Sequence, residues 1–196
     1  MNIAALIVID VQKGFDDPRW GSRNNPDAEA NIAQLISAWR SAELPVIHIQ
    51  HHSTKADSPL RPGTAGCEFK PEAMPRNNEE VFVKHVHSAF IGTALEAHLR
   101  GKGIETLVIV GLTTDHCVST TTRMAGNLGF HTTLVSDATA TFNRQGIDGE
   151  NLAADEVHKV NLASLNKQFC RIMPTTEVLT TMLPNFYSSG RAEARR

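Results

Sequence analysis

Three side chains far apart in the chain are of the types that together perform covalent acyl transfer. Cys117 lies in Gly111-Leu112-Thr113-Thr114-Asp115-His116-Cys117, which reads as a turn from a strand into a helix. A thiol at a helix start feels the partial positive charge of that end, and amide N–H groups lie nearby; both favour thiolate. Asp10 and Lys84 each close an apolar run, Leu6-Ile7-Val8-Ile9 and Val81-Phe82-Val83. A lysine beside the thiol would lower its pKa further, and an aspartate could take and return its proton. Each residue also has a plainer reading: a loop cap, a solvated strand-end charge and an inert buried thiol. Other chemistries lack their motifs. Asp10-Val11-Gln12-Lys13-Gly14-Phe15 follows the first strand where a dinucleotide fingerprint would need G-x-G-x-x-G, and neither a phosphate loop nor G-x-S-x-G occurs.

The elements that must position these residues alternate. Strands are expected at Leu6–Ile9, Val46–Ile49, Val81–Val83, Leu107–Val110, Thr132–Val135 and Phe169–Met173. Helices are expected from Pro26-Asp27 to the Pro45 region, from Ser88 through Ile91, Leu95 and Leu99, from Asp115 to Leu128, from Asn151 to Leu165, and around Thr176–Leu183. Unbroken apolar strands alternating with helices imply an α/β fold: a three-layer αβα sandwich around a six-stranded, mainly parallel, Rossmann-like sheet. Ligands in such sheets bind beyond the carboxyl ends of the strands, where Asp10, Lys84 and the segment after Val110 all lie. The stretch from His51 to Glu80 shows no sustained period, and a loop of that length is usually functional. A single domain over residues 1–185 is expected, with a frayed tail over 186–196 that carries three arginines.

Composition narrows the partners. Lys plus Arg number 19 and Asp plus Glu 21, a net charge of −2 that supplies no electrostatic reason to bind nucleic acid or an anionic membrane. No apolar run is long enough to span a bilayer, and no basic segment precedes the first apolar run as in a secretory signal. Three widely spaced cysteines fit neither a disulfide framework nor a zinc knuckle. These readings leave a cytoplasmic domain that handles a small molecule or serves interaction.

As a set, Ala5-Leu6-Ile7-Val8-Ile9-Asp10-Val11-Gln12 with Phe15, Lys84, Gly111–Val118 and Val135-Ser136-Asp137-Ala138 resemble the isochorismatase-like cysteine hydrolases. The resemblance runs from about Ile3 to about Leu183. It implies a catalytic triad of Asp10, Lys84 and Cys117, an oxyanion hole from the backbone N–H groups of Thr113 and Cys117, and a cis peptide between Leu112 and Thr113. It also implies a homo-oligomer, dimer or tetramer. In the mechanism it suggests, Asp10 takes the thiol proton, Lys84 stabilises the thiolate, and Asp10 later serves the departing amine and the incoming water. Isochorismatases proper cleave a vinyl ether and lack the cysteine, so Cys117 favours C–N cleavage of an amide, lactam or ureide. Nicotinamidases of this superfamily carry an Asp-x-His pair and a metal; His51-His52-Ser53 here lacks that Asp and the second His.

Neither metal nor cofactor is therefore expected, although His48, His51, His52, His85 and His87 cluster in sequence and would suit a metal-assisted amidase. The pocket is expected to draw on Gln12, Phe15, Phe90, His116 and Phe142, with Trp20 as a further wall candidate. Gln12 is placed to orient Asp10 or the substrate. Arg61, in a Pro/Gly-rich loop, could meet an anionic substrate group or a solvent-facing carboxylate. The competing reading from another class is a catalytically silent member used for binding or assembly.

Overall fold

The computed structural model describes residues 4–183, and the expected tail lies outside them. Strands β1 (Ala4–Ile9), β2 (Val46–His51), β3 (Glu80–Lys84), β4 (Thr106–Leu112) and β5 (His131–Ala140) join β8 (Arg171–Met173) in one sheet. Its order is β3-β2-β1-β4-β5-β8 and every pairing is parallel. Strand β1 pairs with β2 on one side and β4 on the other, so the order reverses between β1 and β4, and a crevice opens at the carboxyl ends there.

Both faces are covered, which explains the unbroken apolar strands. Leu6, Val8, Val108 and Val110 face α1 (Ala28–Ser41) and α5 (Thr175–Met182), meeting Ile32, Leu35, Trp39 and Leu179. Ala5, Ile7, Ile9, Leu107 and Ile109 face the other way. There they meet Leu95 and Leu99 of α2 (Leu95–Gly101), Ala125 of α3 (Ser119–Asn127) and Leu165 of α4 (Ala154–Leu165). Alternate side chains of one strand thus enter two separate cores.

Several expected boundaries move. The helix expected from Ser88 begins at Leu95, because Gly92 takes a φ of 71° and the Thr93 hydroxyl accepts from the Leu95 N–H. Ser88 caps a turn instead, accepting from the Phe90 N–H, and Ile91 is exposed. Strand β5 outruns its expected end: after a register shift in which its residues 135–138 fall opposite Val110 alone, it pairs Thr139 with Gly111 and Ala140 with Leu112. Gly111 has φ 123°, and a Cβ there would collide with the Ile9 carbonyl, so only glycine lets β4 pass β1 at this point. A small hairpin, β6 (Arg144–Gln145) with β7 (Asn151–Leu152), replaces the first turn of the expected helix at 151. The segment between β2 and β3 folds over the carboxyl ends, fixed by Ser53 N–H to Leu60 O and Lys70 N–H to Val11 O.

Candidate active site

Asp10 follows β1 at φ 50°, a left-handed conformation that aspartate tolerates better than most residues. Lys84 ends the edge strand β3 and is paired in register with His51 of β2. Cys117 lies in a π-helical turn, Thr114–Val118, that leads into α3 after the cis Leu112–Thr113 peptide. The thiol therefore sits on a widened turn and not on the regular helix start expected. Arg144 and the Thr141 hydroxyl anchor that turn through Asp115, and Thr114 Oγ1 meets His158 Nδ1 at 2.9 Å.

The three side chains meet. Lys84 Nζ donates to Asp10 Oδ2 at 2.6 Å and to Cys117 Sγ at 3.2 Å, and lies 3.1 Å from His51 Nδ1. An ammonium has three N–H donors and here all three are engaged. His51 must then accept through Nδ1, and burial with the neighbouring Lys84 charge holds its pKa down to about 4, so the ring is neutral. Asp10 and Lys84 are wholly buried and Cys117 is 6% exposed. Among the described residues Asp10 Oδ1 has no hydrogen-bond partner. Burial raises the Asp10 carboxyl above the ordinary range against the opposing pull of Lys84.

Burial, reinforced by the Asp10 charge, also pushes the Cys117 thiol up, over the opposing effect of Lys84. This corrects the thiolate expected from the helix start. Desolvation outweighs the pull of the lysine, so the group is favoured as a neutral thiol. Two acceptors are at hand: Asp10, and His87 with Nδ1 3.4 Å from Sγ. Asp10, His51 and Cys117 present donor atoms within 4.8 Å of one another, as a metal site would. The Lys84 ammonium already occupies the middle of that group, so a divalent ion does not fit while the lysine stays.

Above the thiol opens a cavity of about 320 Å³, at the small end for ligand sites, lined by Phe15, Trp20, His87, Thr113, His116 and Cys117 among others. Phe142 stands behind the aromatic wall, its ring 6.2 Å from Phe15 and 5.8 Å from Trp20. Phe90, expected in the pocket, stacks on Phe130 in the core beside α2 and does not line the cavity. Gln12 does not line it either. Its amide is spent clipping loops together, accepting from the His51 N–H and donating to the carbonyls of His51 and Cys67. Arg61 hydrogen-bonds the Ala56 carbonyl outside the cavity, His48 pairs with Glu79 away from it, and His52 is held by Gln50. The rim residues Lys55 and Arg144 carry no signal in the sequence, because Lys55 lies on an irregular segment and Arg144 in a two-residue strand too short to show a period.

The Isochorismatase domain model matches residues 4–177. The chain is 46% identical to the uncharacterized isochorismatase family protein YrdC of Bacillus subtilis, over 91% of this chain and 96% of that one. Nicotinamidase 3 of Arabidopsis thaliana is 28% identical over 93% and 90%. The crystal structure of an isochorismatase-family protein from Chromobacterium violaceum superposes with a TM-score of 0.90 at 45% identity, covering 93% of this chain and 94% of that one.

Proposed function

Because the chain belongs to the isochorismatase family of hydrolases, we propose that it cleaves the C–N bond of a small amide, lactam or ureide with Cys117 as nucleophile. The observation that carries this reading is the Lys84 ammonium bridging a buried carboxylate and a buried thiol at 2.6 and 3.2 Å, beneath the cavity. Asp10 takes the thiol proton as Sγ attacks the carbonyl carbon, and Lys84 offsets the charge that develops. Backbone N–H groups of Thr113 and Cys117 hold the oxyanion. The C–N bond breaks as the proton passes to the departing nitrogen, leaving a thioester. Water then adds, the C–S bond breaks, the acid leaves and the thiol is restored. A named amidase among the relatives supports the C–N choice.

The reading extends to the setting. A single hydrolase domain spans 1–185, working in the cytoplasm, where a reducing medium keeps the thiol free. Edge strand β3 leaves Val81 and Val83 exposed, which supports a homo-oligomer, dimer or tetramer. The test is a screen of small amides with ammonia or amine detection, followed by intact-mass measurement during turnover. An acyl adduct on Cys117 that is absent from Cys117→Ala is the expected result. Turnover surviving in Cys117→Ala would overturn the covalent route and favour the binding module or a metal-assisted path.

A further inference from the structure

The cavity above Cys117 has two unlike sides. Phe15 and Trp20 form an apolar wall, with rings 5.5 Å apart, and Trp20 spends its indole N–H on the Gly14 carbonyl, so this wall offers no polar group from the indole. The rest of the lining mixes hydroxyl and aliphatic side chains with positively charged and imidazole ones, Lys55, Arg144, His87 and His116 among them, and among the described residues no carboxylate stands on it. Arg144 is neutralised by Asp115 at 2.6 Å. Lys55 is different. No described carboxylate lies within ion-pair distance of it, and its backbone is fixed by Ser53 Oγ and by Ser58 N–H. An uncompensated ammonium at the mouth of a cavity with a low-dielectric wall concentrates anions there.

We propose that this cavity selects small amides that carry a carboxylate, with the apolar body against Phe15 and Trp20 and the carboxylate at the Lys55 ammonium. The proposal rests on the reading of Cys117 as nucleophile. It moves the anion contact from Arg61, which the cavity does not reach, to a residue six positions earlier in the same loop.

Iodoacetate and iodoacetamide test it without knowledge of the substrate, since they differ in charge and scarcely in size. The ratio of their alkylation rates at Cys117, read by peptide mass spectrometry at pH 7, is expected to exceed the ratio for a free thiol in solution. Lys84 also attracts the anion, so variants isolate the rim. Lys55→Gln should lower the ratio by about fivefold to tenfold, Lys55→Glu by more, and added salt should erode it in the parent chain. Paired substrates give a second readout: succinamate should be preferred over butyramide, and Lys55→Glu should reverse the order. A ratio at or below that of the free thiol, or one indifferent to Lys55→Glu, would overturn the proposal and leave the nucleophile intact. If neither reagent reaches Cys117, the nucleophile reading falls, and this proposal with it.

Discussion

Two buried charge clusters in this molecule are built to opposite ends. Around Glu29, in the first turn of α1, Arg23 Nη1 and Lys70 Nζ each donate to Oε1 at 2.7 Å, and Arg23 Nη2 donates to Oε2 at 2.9 Å. Lys70 reaches on to Asp16 at 2.5 Å. Burial alone would raise the Glu29 carboxyl, yet these donors hold it at about 2. Around Asp10 a single ammonium serves one carboxylate oxygen, the other has no described partner, and burial wins. A saturated carboxylate has nothing left to offer. An unsaturated one beside a thiol is poised to accept a proton, at the cost of leaving a buried acceptor unmet until it arrives. On the proposed reading of Cys117 as nucleophile, the first cluster serves stability and the second serves chemistry.

Substitutions that break this contrast should separate activity from stability. The largest effect is expected for Cys117→Ser, with turnover falling by about 10³ or more and the urea midpoint nearly unchanged, since the change is close to isosteric. Asp10→Asn should cost about 10² to 10⁴ in rate, the usual worth of a positioned acid–base group. Lys84→Met should lose both quantities: activity, and about 3–5 kcal/mol of stability, because a buried carboxylate is left without its partner. Glu29→Gln should do the reverse of Cys117→Ser. It should lose about 2–3 kcal/mol in urea unfolding, less than a fully buried pair because Lys70 keeps Asp16, with kcat within about threefold of the parent. A large loss of kcat in Glu29→Gln would erase the distinction between the clusters.

Acid sharpens the same comparison. A carboxyl whose folded pKa is depressed contributes stability above its unfolded pKa and loses that contribution as pH falls through the folded one. Glu29, at about 2 against an ordinary 4.5, should contribute up to about 3 kcal/mol that disappears between those values. Asp10 has the opposite sign: its raised carboxyl binds a proton more readily folded than unfolded, so it cannot produce this acid limb. Urea unfolding from pH 2 to pH 5 should show the limb in the parent chain and a flatter one in Glu29→Gln.

The layered fold was legible because burial on both sides of a strand demands unbroken apolar runs, as in Leu6–Ile9 and Leu107–Val110. Asp10, Lys84 and Cys117 were legible because each lies where such a run ends or just beyond. What the sequence hid depends on packing without a period. Phe90 and Phe142 look alike in the chain, yet one fills the core and the other backs the cavity. Gln12 stands two residues from Asp10, yet its amide is consumed by His51 and Cys67, from a loop that no spacing rule could have brought there. The thiol's protonation is hidden for the same reason: position predicts the dipole, whereas desolvation depends on how the chain packs around the sulfur.

The smallest expected effect concerns the second acceptor of the thiol proton. His87 faces His116, with rings 5.3 Å apart, and His51 at 6.4 Å; Lys84 and Asp10 lie beneath it and Lys55 stands at the rim. Burial, together with the charges of His116 and Lys84, holds its pKa below the ordinary imidazole value, so the ring is neutral at pH 7 and Nδ1 is free to accept. Glutamine at this position fills similar space but has no titration in this range. His87→Gln should therefore slow iodoacetamide alkylation of Cys117 by about fivefold, well short of the worth of a sole base, because Asp10 remains. The parent rate should also fall as acid protonates His87 and turns its Nδ1 from acceptor to donor, and His87→Gln should lack that limb. A limb that persists in the variant would assign the titration to the Asp10 carboxyl instead, placing the whole proton transfer in the unsaturated cluster.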